Sequence, residues 1–308
     1  MSVELQEPGG ILPPAGAPEE PVGPVFDSPL KTFWRRFSRN RIAVVAAVLL
    51  LLIALTAAAA PLFASLSDRD STNLKAANKP PGWEGHILGT DEIGRDVFAR
   101  LIWGGRVSLT VGLTAVGISI GIGIIVGAIS GFFGGWVDNV LMRVTDIFLS
   151  IPTLALLIVG AAILGPSITN TMIIIGAVSW PGVSRLVRGE ILSLRARDFV
   201  TAARAAGARS GYIIRKHLVP NSMAPVLVSA TLSVAGTIIL EASLSFLGLG
   251  VQQPIPSWGN MLEAATNWRV LTLFWWQWMP PGFMIFFTAL CIYIVGDALR
   301  DATDPRLK

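Results

Sequence analysis

Residues 195–221 read R-A-R-D-F-V-T-A-A-R-A-A-G-A-R-S-G-Y-I-I-R-K-H-L-V-P-N, with apolar stretches of membrane-spanning length on both sides. Helical spacing predicts a short amphipathic helix here, with Asp198 either as its N-cap or in its first turn. Gly207 is predicted to end this helix by taking a positive φ, and a second short helix, at about 211–218, is predicted to end before Pro220. The pair is too polar to span a bilayer and indicates a docking element on the membrane surface. The apolar face predicted for the first helix consists of Phe199, Ala202, Ala203 and Ala206.

The composition is that of an integral membrane protein. Hydrophobic residues make up 52% of the chain, charged residues make up only 14%, and the mean hydropathy is +0.62, whereas soluble domains carry about 25% charged residues. The net charge is +4, but the basic residues lie in loops beside apolar segments, which favours a role in membrane topology over binding of nucleic acid. The single cysteine, Cys291, excludes a disulfide framework and a cysteine-based metal site within one chain.

Six apolar segments are each interpreted as a transmembrane helix. The predicted fold class is therefore an all-α integral membrane protein with six transmembrane helices and both termini on one side. Of the 24 Lys and Arg residues, 17 fall on the side of the termini and of the 195–221 loop. Because basic residues are enriched in cytoplasmic loops, both termini and this loop are predicted to be cytoplasmic. The six segments lie at about 42–60, 107–130, 144–164, 171–187, 223–249 and 279–299.

The pattern T-A-A-x-x-x-G followed by I-x-x-x-x-x-x-P resembles the EAA loop of ABC importer permeases. In that family the loop holds a coupling helix that fits a groove on a separate ATPase subunit. The family's glutamate is Thr201 in this chain, which keeps the spacing but removes the carboxylate from that position. A basic loop held at lipid headgroups is the alternative. The resemblance implies ATPase-coupling roles for Phe199, Thr201, Ala202, Ala203, Arg204, Gly207, Ile213 and Pro220.

Three further sequence blocks narrow the resemblance. Together with the loop they resemble the second permease subunit of the dipeptide, oligopeptide and nickel importers, over about 31–308. This resemblance implies a type I ABC importer permease fold with cytoplasmic coupling helices. The blocks are G-T-D with G-R-D at 89–96, E-A-S-L-S-F-L-G-L-G at 241–250 with P-S-W-G at 256–259, and G-D-A-L-R-D at 296–301 with D-P-R at 304–306.

Four regions are predicted along the chain. Residues 1–30 are rich in Pro, Gly and Glu and are expected to form a disordered cytoplasmic tail. Residues 31–106 are expected to contain a basic stretch at the lipid interface, the first transmembrane helix and an extracellular loop. Residues 107–299 are predicted to form a five-helix permease core with a cytoplasmic coupling loop at 188–222. Residues 300–308 are predicted to form a cytoplasmic tail.

The resemblance also implies a five-part machine in a bacterial or archaeal cytoplasmic membrane. Two different permeases of this fold form the pathway, two ATPase subunits bind ATP and Mg²⁺, and an extracellular or periplasmic binding protein delivers the substrate. This chain has no G-x-x-x-x-G-K-[ST] phosphate loop. It is therefore expected to be non-catalytic, to hold no cofactor or metal itself, and to line half of the pathway.

Peptides are the expected cargo, with nickel or another small solute as the alternative. Nickel favours clusters of His, Cys or carboxylate groups, which this chain lacks, but selection can also reside in the binding protein. A membrane-embedded enzyme is disfavoured because the sequence has no H-E-x-x-H motif and no second histidine near its one cysteine. A passive channel explains the apolar segments but not the coupling loop. A pure assembly or receptor subunit is a third alternative.

Polar residues outside the loop supply the remaining candidates. Glu241 lies in an apolar segment, where acids usually face a cavity or a partner, so it is a candidate for the substrate pathway. The alternatives for Glu241 are a structural hydrogen bond or an ion pair with the partner permease. Asp91, Arg95 and Asp96 are candidates for a gate or for a contact with the binding protein, and an ion-paired loop is the alternative for these three.

Overall fold

The computed structural model describes residues 29–303. These residues form helices and turns and contain no strand, and the two isolated β-bridges join Trp83 to His86 and Thr90 to Asp96. The predicted all-α class is confirmed. The first described helix begins at Pro29. Of the tail predicted at 1–30, residues 1–28 therefore lie outside the described residues.

Helices of very different lengths follow one another along the chain. A π-helical turn at Ile214–Leu218 and 3₁₀ turns at Leu74–Ala76 and Glu263–Thr266 connect some of them. The α-helices are α1 (Pro29–Arg39), α2 (Arg41–Ala58), α3 (Ala60–Phe63), α4 (Leu66–Asp70), α5 (Val97–Phe133), α6 (Gly135–Ser150), α7 (Thr153–Leu164), α8 (Ile168–Leu194), α9 (Asp198–Ala205), α10 (Ser210–Ile213), α11 (Val219–Asn221), α12 (Met223–Phe246), α13 (Trp258–Leu262), α14 (Trp268–Leu273) and α15 (Trp275–Thr303).

Four of the described helices, α2, α5, α12 and α15, are long and apolar enough to cross a membrane. The pair α6 and α7 is a fifth candidate, although the two helices meet at an angle of 90° where Ile151 and Pro152 interrupt them. The segment predicted at 171–187 lies within α8, which is not among these candidates. Polar side chains such as Asn170 and Arg185 lower the hydropathy of α8. The count of six transmembrane helices therefore stays a prediction.

α5 is the central element, and its 37 residues extend for about 55 Å. The helix begins at Val97, ten residues before the start of the predicted segment at 107–130. Asp96 stabilises this early start, since its Oδ1 accepts a hydrogen bond from the Ala99 N–H at 2.7 Å. Arg100 and Arg106, predicted to lie in an extracellular loop, are consequently on the helix.

Glycines allow α5 and α8 to pack with their backbones close together. A Cβ atom on Gly127 would lie 2.5 Å from the Ser184 carbonyl oxygen, and one on Gly131 would lie 2.9 Å from the Arg188 carbonyl oxygen. Any larger residue at these positions must push the helices apart. Gly117, on the same helix, has open space around it. The close approach is therefore specific to one face of α5.

Two further helices extend several residues past the predicted region boundaries. The coupling loop was predicted to start at 188, but α8 continues to Leu194, and the Arg195 N–H still donates to the Ile191 carbonyl at 2.9 Å. The C-terminal tail is predicted to begin at 300, but α15 continues to Thr303. Tertiary packing supports this last turn, because Ala302 contacts the apolar cluster that includes Phe37 of α1.

Candidate functional site

The first helix of the coupling loop, α9, buries one side and exposes the other. Val200 is fully buried, and Ala203, three residues later on the same side, packs against the same core. Ala202 and Ala206 are exposed, and Phe199 is 39% exposed. The single apolar face predicted for this helix is therefore wrong in part, because Ala203 faces the core while the other three predicted members remain available to a partner.

The end of α9 confirms the backbone conformation predicted for Gly207. Its φ is +80°, and its N–H donates to the Arg204 carbonyl at 2.9 Å. The next N–H, of Ala208, donates to the Ala203 carbonyl at 3.0 Å, which completes a Schellman motif. A Cβ at Gly207 would meet no atom within 4 Å, so the need for glycine is conformational and not steric.

The second half of the loop differs from its prediction. Helical backbone continues through Pro220: the π-helical turn Ile214–Leu218 runs directly into α11, and Pro220 is the second residue of α11. Ile213 and Leu218 are 1% and 0% exposed and lie in the core. Ile213, predicted as an ATPase-coupling residue, therefore anchors the loop from inside, while Thr201 and Pro220 are exposed.

A single apolar cluster joins the coupling loop to three long helices. Its buried members are Ala128 and Phe132 of α5, Val183, Val187 and Ile191 of α8, Val200, Ile213 and Leu218 of the loop, and Val226 of α12. Close-packed groups transmit displacement to one another, so movement of the loop must also displace these helices. Sequence reasoning missed Val200 and Leu218. The signal that could have found them is their position as isolated aliphatic residues in a basic stretch.

Charge on the loop surface is almost entirely positive. The Arg204 guanidinium lies 5.3 Å from the centre of the Phe132 ring, which links α9 to the end of α5. Asp198 lies in the first turn of α9, the second of its two predicted positions. This surface is complementary to an acidic partner. Its exposed basic residues are Arg197, Arg204, Arg209, Arg215 and Lys216.

Glu241 lies in a hydrogen-bonded cluster inside the chain. Its side chain is fully buried. Ser108 Oγ of α5 donates to Glu241 Oε2 at 2.9 Å, and Ser245 Oγ donates to Oε1 at 2.8 Å. The same serines accept hydrogen bonds at 3.1 Å from the backbone N–H groups of Trp258 and Val251. This arrangement matches the structural alternative for Glu241, and the role of the residue in the substrate pathway stays a prediction.

The three candidates that precede α5 divide into two groups. Asp91 and Arg95 form an ion pair, with 2.6 Å between Oδ2 and Nε, and both line a polar cavity. Asp96 caps α5, and its Oδ2 lies 2.6 Å from His86 Nδ1. The ion-paired loop is therefore present, and Asp96 has a structural task at the start of α5. Within residues 29–303, no group of three or more His, Cys, Asp and Glu side chains could hold a metal ion.

Residues 123–308 match the family described as the inner-membrane component of binding-protein-dependent transport systems. The chain belongs to this family. Residues 28–81 of the permease match the N-terminal transmembrane domain of oligopeptide transport permease C. The permease is thus a subunit of an ABC transporter and is not catalytic by itself.

Known proteins resemble the permease over most of its length. The di/tripeptide transport system permease protein DppC of Pseudomonas aeruginosa is 42% identical over 95% of this chain and 97% of its own. The oligopeptide transport system permease protein OppC of Bacillus subtilis is 38% identical over 89% of this chain and 88% of its own. A solved structure of the MetNI methionine ABC transporter, in an inward-facing conformation, has a TM-score of 0.54 and 19% identity, and covers 67% of this chain and 98% of that one. This likeness supports the ABC importer permease fold.

The family matches cover the candidate residues of the permease unequally. The coupling loop and Glu241 lie within 123–308, and the first transmembrane helix lies within 28–81. Asp91, Arg95 and Asp96 lie between the two matched ranges. Their surroundings in this permease are therefore known from the structure and not from the family match.

Proposed function

We propose that this permease forms half of the pathway of an ATP-driven importer of dipeptides or oligopeptides. The names of the relatives from Pseudomonas aeruginosa and Bacillus subtilis support peptides as the cargo. The other half of the pathway is supplied by a second, homologous permease. Two ATPase subunits bind ATP and Mg²⁺, and an extracellular or periplasmic binding protein delivers the peptide.

The geometry of the coupling loop is the observation that supports ATP-driven coupling. Val200, Ile213 and Leu218 hold the loop in the core, while Phe199 and Ala202 face outward beside exposed basic residues. A partner that binds the exposed face of the loop displaces α5, α8 and α12 through these three buried residues. An ATPase groove of complementary charge is the partner that this surface fits.

Reconstituted transport tests the proposal. The complete transporter, in vesicles with ATP trapped inside and the binding protein outside, should accumulate a radioactive dipeptide. Vesicles loaded with a non-hydrolysable ATP analogue should not. Uptake that is independent of ATP would indicate a passive channel. ATP-driven uptake of radioactive nickel without uptake of dipeptide would replace the proposed cargo.

We further propose that both termini and the coupling loop are cytoplasmic, which the distribution of basic residues supports. In a Cys291→Ser background, Thr72→Cys should react from outside intact cells with a thiol reagent that does not cross membranes. Ser210→Cys, which is also at an exposed position, should react only after the cells are permeabilised. The reverse pattern would invert the proposed orientation.

A further inference from the structure

The corner between α1 and α2 lies at the surface of the membrane. α2 begins at Arg41 and is apolar enough to cross a membrane, and no charged residue follows Arg41 until Asp68. Because a charged side chain is costly inside the bilayer, the start of such a helix lies at the level of the lipid headgroups. α1 ends at Arg39, and only the N-cap residue Asn40 separates it from α2. The end of α1 is therefore held at the same level.

The apolar side of α1 is covered by the protein only in part. Phe37 is 8% exposed and packs against Ala298 and Ala302, in the last turns of α15. Trp34 lies three residues earlier on the same side, with its ring centroid 6.0 Å from that of Phe37, but it is 67% exposed. Tryptophan is enriched where an apolar phase meets water. At the level of the headgroups, the acyl chains of the bilayer are the apolar phase that Trp34 can enter.

The other side of α1 is basic. Arg35 and Arg39 are four residues apart, so they lie together on the side opposite to the two aromatic rings, and both are exposed. Arg41, at the start of α2, is exposed as well. Residues 29–67 contain five basic side chains and no acidic one. Within residues 29–303, neither Arg39 nor Arg41 forms an ion pair. The corner therefore carries positive charge that the described residues do not neutralise.

We propose that this corner binds the phosphate groups of acidic phospholipids, with the Trp34 ring inserted at the edge of the acyl chains. Clusters of basic residues directly beside a transmembrane helix are attracted to anionic lipids. A zwitterionic headgroup brings an ammonium group as well as a phosphate, so it gains less from a surface that is only basic. The predicted location at the lipid interface does not specify a headgroup, and the inference is independent of the cargo.

An acidic protein surface is the other partner that a basic surface fits. Trp34 favours the lipid. A protein docked on the basic side of α1 would leave the opposite side, with Trp34, in water, whereas the headgroups and acyl chains of one leaflet contact both sides of the helix at once.

The test uses the complete transporter in detergent, with its other subunits free of cysteine. An environment-sensitive fluorophore is attached to Ser38→Cys in a Cys291→Ser background, because Ser38 is exposed and adjacent to Arg39. Titration with phosphatidylglycerol or with phosphatidylcholine then reports lipid binding at α1. Phosphatidylglycerol should bind about tenfold more tightly or better. Equal affinities for the two lipids would overturn the proposal.

The variant Arg39→Gln/Arg41→Gln should bind phosphatidylglycerol about thirtyfold more weakly, since each basic residue at the surface contributes a factor of about five. Its affinity for phosphatidylcholine should change much less. Arg39→Lys/Arg41→Lys keeps both charges and should retain most of the affinity for phosphatidylglycerol. Unchanged affinity in the glutamine variant, or a loss of the same size in the lysine variant, would overturn the proposal.

Two more variants separate charge from apolar contact. Arg143→Gln/Arg269→Gln removes two charges from exposed positions on α6 and α14 and should keep the affinity for both lipids. Trp34→Ala removes apolar contact that both lipids make, so it should weaken both by a similar factor, about fivefold. Unchanged affinity of Trp34→Ala for both lipids would overturn the insertion of the ring.

Co-purification of the ATPase subunits tests the alternative of a protein partner. The variant Arg39→Gln/Arg41→Gln should retain these subunits while it loses affinity for phosphatidylglycerol. Loss of the ATPase subunits with unchanged affinity for phosphatidylglycerol would assign the basic surface to a protein contact and overturn the assignment to lipid.

Discussion

The two ends of α5 are held in different ways. At the N-terminal end, directional bonds dominate: Asp96 caps the helix, Arg100 is 2% exposed and bonded to Gln253, and Trp258 Nε1 donates to the Leu101 carbonyl at 3.0 Å. At the C-terminal end, Phe132 lies in an apolar cluster with the coupling loop, and Arg195 Nη1 donates to the Gly131 and Phe132 carbonyls at 3.2 and 3.1 Å. Hydrogen bonds specify a geometry, whereas apolar contact is non-directional. The N-terminal end of α5 is therefore held mainly by directional bonds, and its C-terminal end by both apolar contact and hydrogen bonds.

The largest expected effect concerns Glu241, which joins α12 to the N-terminal half of α5. Glu241→Ala should destabilise the permease by about 3–5 kcal/mol, because it leaves a cavity and two serine hydroxyls without their acceptor. Thermal unfolding of the purified complex measures this. Glu241→Gln keeps the volume of the side chain and one acceptor, so it should destabilise the permease much less. A normal unfolding temperature with lost transport in Glu241→Ala would support the predicted pathway role instead.

Close backbone packing in the C-terminal half of α5 has the next largest expected effect. Gly127→Ala should destabilise by about 2–3 kcal/mol, since its Cβ would collide with the Ser184 carbonyl and separate α5 from α8. Gly117→Ala is the matched control on the same helix. It has open space and should be neutral or slightly stabilising, because alanine favours helix. Equal unfolding temperatures for the two variants would contradict the packing of these helices.

A substitution at Gly207, the residue between the two halves of the coupling loop, should have a smaller effect on folding and a larger effect on coupling. Gly207→Val forces a β-branched residue to a φ of +80°, which costs about 2 kcal/mol. Membrane levels should stay near normal, while ATPase co-purification or uptake per ATP hydrolysed should fall. Gly207→Asn, which tolerates this φ better, should retain more of both. If Gly207→Val leaves association, hydrolysis and uptake unchanged, Gly207 is not a coupling pivot.

The smallest expected effect is at the cap of α5. Asp96→Ala should cost about 1 kcal/mol, because it removes the acceptor for the Ala99 N–H and the partner of His86. Asp96→Asn keeps an N-cap acceptor and should recover most of the loss in a thermal unfolding assay. No difference between the two variants would show that the cap does not determine where α5 begins.

Some of the coupling loop was predictable because its causes are local. The positive φ of Gly207 follows from a helix that must stop at that glycine, and the backbone agrees. The choice of which side of α9 is buried has no local cause. Phe199 and Val200 are both apolar neighbours, and α5 and α8 select Val200 because their cluster lies on that side. The sequence pattern alone favoured the larger Phe199.

By itself, the sequence determined a helical membrane protein, a polar loop between apolar segments and a glycine hinge, since hydropathy and backbone preference act over a few residues. Only the tertiary structure decided the partners of charged groups. Glu241 meets Ser108 across 133 positions of the chain, and Arg100 meets Gln253 across 153. Such pairs depend on how whole helices pack, because a buried polar group must be satisfied by whichever donor or acceptor the fold brings to it.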